Sequence, residues 1–149
     1  MQSSSAYYGV DYTPSEGRTH PWALRDLGQL TRALRTDNIQ YIRLQWVDFI
    51  NNTRYRVLSK SYFIKLMESP RPGITMTKVS LGGVFDVIAP GFSAIGEFLY
   101  VPDISSYRVC PYAPGHASIM GFFQEKIPSP DRGLILPLCP RTILQKIVE

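Results

Sequence analysis

Residues 39–59, IQYIRLQWVDFINNTRYRVLS, decide the fold, because apolar and polar side chains alternate on both sides of a short polar turn. Alternation of this kind, rich in β-branched and aromatic residues, is typical of half-buried strands. Asn51-Asn52 supplies the turn, since asparagine tolerates the left-handed backbone that short hairpin loops need. The apolar positions of the two runs are Ile42, Leu44 and Trp46, then Tyr55, Val57 and Leu58. The stretch therefore predicts a β-hairpin.

Length and composition predict one globular domain with flexible ends. The chain has 149 residues, of which 44% are hydrophobic and 12% aromatic, enough for one core but not comfortably for two. The net charge of +4 comes from sixteen basic residues spread along the chain without a Lys/Arg run. A nucleic-acid platform would interleave aromatic residues with a basic cluster, so we expect no nucleic-acid partner. No apolar run approaches the roughly twenty residues of a membrane helix, so we expect no membrane partner either.

The cysteines and the first residues predict a cytoplasmic protein with unpaired thiols. Cys110 and Cys139 lie far apart and lack CxxC spacing. The opening MQSSSAYYGVD has neither the basic start nor the apolar core of an export signal. Free thiols are the expected state in a reducing compartment, and the sequence alone leaves a disulfide open.

The first half of the chain predicts a tail, a helix, the hairpin and a second helix. Residues 1–18 lack sustained periodicity and predict a flexible tail, after which residues 19–125 form the main domain. Its leading helix is expected to start at Thr19-His20-Pro21 and to end at Asp37-Asn38. Ser59 can cap the second helix. The apolar positions of these helices are Leu24, Leu27, Leu30 and Leu34 in the first, and Tyr62, Phe63, Leu66 and Met67 in the second.

The second half of the domain predicts further strands. Residues 73–96 show no clear period, whereas residues 97–101 predict a strand that ends at Pro102-Asp103. Residues 107–110 predict a short strand. Residues 116–124 carry apolar side chains on both faces, which favours a central strand covered by a helix or by a partner.

The C-terminal residues predict a linker and the start of a helix. Residues 126–138 contain three prolines and a glycine, which favours a linker outside the sheet. Residues 139–149 then begin a helix with Pro140 in its first turn. The apolar stripe of this helix comprises Ile143, Leu144, Ile147 and Val148. Because so short a helix is marginal alone in water, the stripe must pack on the sheet, on another chain or on a domain outside this sequence.

The sequence predicts no catalytic residue and no metal site of its own. The P-loop, the dinucleotide glycine fingerprint and the HExxH motif are all absent from it. His20 and His116 have no nearby acidic or cysteine partner in a recognised arrangement, so structural positions are the simpler interpretation. Ser93 misses the spacing of a nucleophile elbow by one residue.

Four short motifs follow one another along residues 39–149. They are the hairpin with Arg43 and Asp48, the loop GITMTKVSLGG at residues 73–83, Val101-Pro102-Asp103 followed by Ser105-Ser106, and Cys139-Pro140-Arg141. In this order they resemble the N-terminal β-grasp domain of the glutamine synthetase family, especially its fungal synthetase-like branch. The resemblance implies an α+β fold, a β-grasp-like mixed sheet packed by one or two helices. The C-terminal helix would then open a catalytic domain that this sequence lacks.

The resemblance also implies a role beside an active site. Members of this family condense glutamate with ammonia, using ATP and Mg²⁺ or Mn²⁺, at sites between two subunits of a ring. This chain would supply one wall, with Thr77 and Ser80 in the substrate loop and Gly82 and Gly83 shaping that loop. The metal ligands and the nucleotide pocket belong to the catalytic domain, so the chain alone should bind neither and should not catalyse. Its partners would be that domain or neighbouring synthetase-like subunits.

One departure from the family leaves other functions open. Thr77 stands where the family has a loop aspartate that helps form the ammonium site of the neighbouring subunit. A hydroxyl gives ammonium weaker charge assistance than a carboxylate, so a full-length form that uses another amine, or that has lost ligase activity, stays open. So do a stand-alone β-grasp interaction or regulatory module, and a regulator that replaces a subunit in a related ring.

Overall fold

The computed structural model describes residues 24–148. The expected tail at residues 1–18 and the expected helix start at Thr19-His20-Pro21 lie outside this range. Within it, the helices are α1 (Leu27–Thr36), α2 (Lys60–Met67), α3 (Val79–Gly82) and α4 (Pro140–Val148). The strands are β1 (Tyr41–Val47), β2 (Thr53–Ser59), β3 (Ile74–Thr77), β4 (Gly83–Val84), β5 (Val87–Ile88), β6 (Glu97–Val109), β7 (His116–Ser129) and β8 (Gly133–Ile135).

One mixed sheet organises the domain. Its order is β2-β1-β7-β6-β3, with β8 also paired to β7. β1 and β7 run parallel, whereas the other neighbouring pairs of this sheet are antiparallel. Two helices pack on one face, where Leu30 and Leu34 of α1 and Phe63 of α2 join the core. The fold is α+β with a β-grasp-like mixed sheet, as predicted.

The predicted hairpin is confirmed, with β1 and β2 in continuous register from Tyr41 opposite Ser59 to Val47 opposite Thr53. Asn51 adopts the left-handed backbone expected of the turn, at φ 64°. The apolar positions of β1 are buried, but Tyr55 and Val57 of β2 are exposed. β2 is the outer strand of the sheet, so its apolar pattern does not mark burial.

β7 occupies the central position that its two apolar faces predict, between β1 and β6. Ile119 and Phe123 are buried on one face. On the other face, the Arg141 guanidinium of α4 lies 4.1 Å from the centroid of the Phe122 ring. Met120 on the same face is exposed, so α4 covers only part of it.

The two leading helices begin at side-chain caps. Asp26 caps α1 by accepting from Gln29 N–H at 2.8 Å, so the expectation that Leu24 is helical is wrong. Ser59 caps α2 as predicted, accepting from Tyr62 N–H at 3.4 Å. The Tyr62 side chain is exposed, although the pattern placed it on the apolar side of α2.

Pro102-Asp103 does not end a strand, contrary to prediction. β6 continues to Val109, with a register irregularity between Asp103 and Arg108. Asp103 holds this bulge together, because its carboxylate accepts from Ser105 N–H at 3.1 Å and its carbonyl accepts from the Ser106 hydroxyl at 2.5 Å. A serine-rich bulge therefore joins the two predicted strands into one.

The prediction that residues 126–138 lie outside the sheet is also wrong. β7 runs through Pro128 to Ser129, and β8 returns antiparallel beside it. The turn between them uses the left-handed backbone of Gly133, at φ 59°. Pro128 is tolerated because the pairing of β7 with β8 is irregular between Gln124 and Ser129. Whether residues 126–138 also mark a domain boundary stays a prediction.

The stretch without clear period, residues 73–96, contains short elements that periodicity cannot reveal. β3 pairs with β6, and a single helical turn, α3, leads into the two-stranded ribbon β4-β5. Cys110 and Cys139 are unpaired, as predicted, and both are buried. No helix between residues 24 and 148 combines the length and the apolar character needed to cross a membrane.

Candidate functional site

The loop that the resemblance singles out is compact. Thr77 ends β3, and Ser80 lies in the helical turn α3 that follows. The Thr77 and Ser80 hydroxyl oxygens are 3.1 Å apart and share a hydrogen bond. Thr77 is exposed and Ser80 is partly buried. The structure thus brings the two predicted loop residues together, and their role in binding substrate stays a prediction.

The loop is fastened to the end of β1. Trp46 Nε1–H donates to the Ser80 carbonyl at 3.1 Å, and Phe49 N–H donates to the Leu81 carbonyl at 3.1 Å. Leu81 itself is buried in the core. Because two consecutive carbonyls of α3 are held by the end of β1, the backbone that carries the Ser80 hydroxyl has a fixed position.

Gly82 and Gly83 lie where the loop turns into β4. Gly82 is buried against the Phe92 ring, and a β-carbon at this position would overlap that ring. The Gly82 carbonyl accepts from Ala89 N–H at 2.8 Å, which joins the end of the β4-β5 ribbon to the loop. At Gly83 a β-carbon would lie 3.3 Å from the Val79 carbonyl oxygen, so the crowding there is milder.

Asp48 is the buried charged side chain next to this loop, and the sequence marked it only as a landmark of the hairpin. Its carboxylate accepts from Arg54 Nε at 2.6 Å, from Asn52 N–H at 2.8 Å and from Ile50 N–H at 3.1 Å. Burial opposes ionisation of this carboxyl, but these hydrogen bonds and the Arg54 charge outweigh burial. Together they lower the pKa of Asp48 below the usual 3.8.

The histidine within the described residues makes structural contacts. His116 Nδ1 accepts from Arg43 Nε at 3.2 Å. Its ring stacks on Tyr41 with centroids 5.0 Å apart. Arg43 also lies over the Tyr55 and Tyr112 rings, at 5.1 and 5.5 Å. These contacts tie β1, β2 and the start of β7 together on the sheet face opposite α1 and α2.

The donor set does not fit the metal chemistry that the resemblance implies for a full-length enzyme. Between residues 24 and 148, no three His, Cys, Asp or Glu side chains are grouped so that they could hold a metal ion. Asp48, the buried carboxylate, is already engaged by Arg54 and two backbone amides.

No protein-family model matches the chain, and no curated protein matches it in sequence. Among solved structures, it is similar to GmaS in complex with ADP, with 17% identity, a TM-score of 0.58, and coverage of 83% of this chain and 25% of that one. It is similar to apo GmaS without ligand at 15% identity and a TM-score of 0.58, covering 79% and 24%.

A third solved structure extends the likeness to a glutamine synthetase. The cryo-electron microscopy structure of Plasmodium falciparum glutamine synthetase matches at 15% identity and a TM-score of 0.58, covering 83% of this chain and 22% of that one. The chain thus spans about a quarter of the length of the structures it matches. Its fold is that of a segment of GmaS and of a glutamine synthetase.

Proposed function

We propose that this chain is the N-terminal β-grasp domain of a glutamine synthetase-like glutamate-ammonia ligase of the fungal branch. It supplies one wall of an active site shared between subunits and does not catalyse alone. The observation that carries the proposal is the match in fold to a glutamine synthetase, which covers 83% of this chain but only 22% of the longer one. The order of the four sequence motifs supports the same assignment.

The C-terminal helix supports the expectation of a missing neighbour. The side chains of Leu144, Ile147 and Val148 are 62%, 75% and 79% exposed. Burying a side chain of this kind is worth roughly 1.5–3 kcal/mol, so a domain that stood alone would forgo that gain at three neighbouring positions. A catalytic domain that continues from α4, or an adjacent subunit, would cover this stripe.

The chemistry would come from that missing part. Phosphoryl transfer requires metal ions and cations held in place around the transferring group, and the described residues group no such ligands. ATP and Mg²⁺ or Mn²⁺ would therefore bind the catalytic domain, in a cytoplasmic oligomer. This chain would contribute Thr77 and Ser80 to the shared cleft, with Gly82 and Gly83 setting the shape of the loop.

Thr77 bears on which amine such an enzyme uses. The Thr77 hydroxyl shares a hydrogen bond with the Ser80 hydroxyl, so the loop offers a neutral acceptor where the resemblance implies a carboxylate. A neutral oxygen stabilises ammonium less than an anionic one. The full-length enzyme would then bind ammonium weakly or accept a different amine.

The test is expression of the chain extended by the coding sequence that follows Glu149. We expect the longer protein to form rings and to ligate glutamate with ammonia or another amine at the expense of ATP, whereas the 149-residue chain does neither. A following sequence without a catalytic domain would count against the proposal. So would a longer protein whose activity is unchanged when residues 1–138 are deleted.

A second candidate, a stand-alone interaction or regulatory module, is favoured by one observation. Arg141 anchors the start of α4 to the sheet, through an ion pair with Asp103 at 2.9 Å and a contact with the Phe122 ring. The first turn of α4 is thus folded back onto the domain. A stable monomer of the 149-residue chain at micromolar concentration, with no catalytic region downstream, would support the module and oppose the ligase domain.

A further inference from the structure

A groove runs along the outer strand β2 on the face of the sheet that carries the core. It has a volume of about 380 Å³. Buried Trp46 and Met76 form its floor, while Arg54 and Arg56 of β2 and Ser80 of α3 line its sides. It is therefore an open cleft with an apolar base and a cationic rim.

The two arginines project from the same face of β2. Arg54 lies directly opposite Trp46 in the hairpin register, and Arg56 lies opposite Leu44. Directly opposed residues of antiparallel strands share a face, so both side chains emerge beside the core. Residues two apart on a strand are separated by roughly 6.6 Å, a span that two long side chains readily close around one group.

Arg54 is held in place from behind. Its Nε donates to the Asp48 carboxylate at 2.6 Å, and that carboxylate is itself fixed by the Asn52 and Ile50 amides. The Arg54 side chain is 44% exposed, whereas that of Asp48 is fully buried. Neither terminal amino group of Arg54 has a hydrogen-bond or ion-pair partner among residues 24–148. The buried pair therefore fixes the guanidinium and leaves two donors for the groove.

The other rim residues, Arg56 and Ser80, add hydrogen-bond donors and carry no negative charge. Arg56 makes no ion pair within the described chain. The Ser80 hydroxyl can donate into the groove when it accepts from the Thr77 hydroxyl, and the Ser80 carbonyl is held by Trp46. None of the described residues that line the groove carries a carboxylate. The local charge is thus positive, and its one counter-ion among residues 24–148, Asp48, lies buried behind Arg54.

We propose that this groove binds an oxyanion, a phosphate or carboxylate group, between Arg54 and Arg56, with the Ser80 hydroxyl as a further donor. The planar donor fork of arginine matches the geometry of both groups. The groove shares Ser80 with the cleft of the function proposed above, but its whole described lining comes from one chain, so binding by the isolated chain tests it apart from that function.

The experiment is a nuclear magnetic resonance titration of the ¹⁵N-labelled 149-residue chain with inorganic phosphate and, separately, with succinate. Ionic strength is held constant with chloride, so that general screening does not change. We expect saturable shifts of the Trp46 indole and Arg54 Nε–H signals, with a dissociation constant of roughly 1–10 mM. The probe that saturates at the lower concentration identifies the group as phosphate or carboxylate.

Three variants assign the binding to the rim. Arg56→Gln leaves the Asp48–Arg54 pair intact and should weaken binding by about fivefold or more. Arg54→Lys keeps the charge but removes the fork, and should weaken it similarly. Arg132→Gln is the matched control, because Arg132 is exposed and pairs with Asp131 outside the groove. Shifts that stay linear with both probes would overturn the proposal, as would an equal loss of affinity in Arg132→Gln.

Discussion

Arg54 Nε lies 2.6 Å from Asp48 Oδ2, and the pair closes the loop of the β1–β2 hairpin from the inside. One end of the pair is fully buried and the other is 44% exposed. The same carboxylate accepts from two backbone amides of the loop, those of Ile50 and Asn52. Asp48 therefore ties the conformation of the hairpin loop to the position of a cation at the sheet edge.

Asp48→Asn should destabilise the chain in a pH-dependent way. The folded-state pKa of Asp48 is lowered below 3.8, so its ionised form stabilises the fold above that pH. This stability is lost as pH falls through the lowered pKa. We expect the variant to lose about 1–3 kcal/mol of unfolding free energy at pH 7, and less at an acidic pH well below 3.8. Urea unfolding at both pH values measures this.

Asp86→Asn provides the control for that experiment. Asp86 is exposed in the turn between β4 and β5, where a change of this kind typically alters stability by less than about 0.5 kcal/mol. A loss in Asp48→Asn that stayed the same at pH 7 and at low pH would contradict the role assigned to the ionised carboxylate.

Gly82→Ala should destabilise the loop that carries Thr77 and Ser80. The added β-carbon would overlap the Phe92 ring, which itself packs on Phe49 with centroids 5.4 Å apart. Overpacking of this kind typically costs about 1–3 kcal/mol. Thermal unfolding followed by circular dichroism measures the loss.

Gly83→Ala is the matched variant for Gly82→Ala. Its β-carbon would meet the Val79 carbonyl oxygen at 3.3 Å, so a shift of a few tenths of an ångström relieves the contact. We expect a smaller loss than at Gly82. If the two variants lost equal stability, the cause would be the general cost of changing this loop, and the close approach of Phe92 would not be the explanation.

The sequence predicted the elements whose signal is local. Period-two alternation marked β1, and two apolar faces marked the central position of β7. Pro102-Asp103 ordinarily ends a strand, so the sequence predicts two strands where the fold has one, β6. In the fold Pro102 pairs with Gly121, and a β-carbon at Gly121 would overlap the Val101 carbonyl. The continuity of β6 thus depends on a partner strand some twenty residues away in the chain, which no local pattern reveals.

The candidate site likewise has one part that the local sequence predicts and one part that it does not. Thr77 and Ser80 are three residues apart, so one helical turn suffices to bring their hydroxyls together. The groove is different, because Trp46, Arg56 and Met76 meet there only through the pairing of β1 with β2 and the placement of β3. Its one sequence signal is the alternating pair Arg54 and Arg56, which on a strand shares a face. Two arginines at this spacing are common on solvent-exposed edge strands, so the spacing alone does not identify a groove.

Replacing both Leu144 and Ile147 by glutamate should change the association of the chain but not its fold. Both side chains are exposed on α4, so the double variant should keep the unfolding free energy within about 0.5 kcal/mol. If a neighbour covers this stripe, concentration-dependent association measured by sedimentation should fall. Lys146→Glu, which makes the same net change in charge on the same helix, should leave association unchanged.

A deletion of residues 138–149 is a poorer test of the same question. It removes Cys139, which is buried and accepts from Phe123 N–H at 3.4 Å, together with the Arg141–Asp103 ion pair. The deletion should therefore destabilise the domain whichever function is correct. A double glutamate variant that unfolded like the deletion would show that α4 packs its stripe against this domain, as the module requires.

Thr77→Asp should restore ammonium binding in the extended protein of the proposed function. The carboxylate would stand beside the Ser80 hydroxyl and offer ammonium an anionic acceptor. For an exposed ion pair we expect the KM for ammonium to fall by about three- to tenfold, or ~0.7–1.4 kcal/mol. Thr77→Asn has nearly the same shape without the charge, and it should leave that KM unchanged. Steady-state assays across ammonium concentrations compare the two, and an equal response of both would exclude the charge as the missing element.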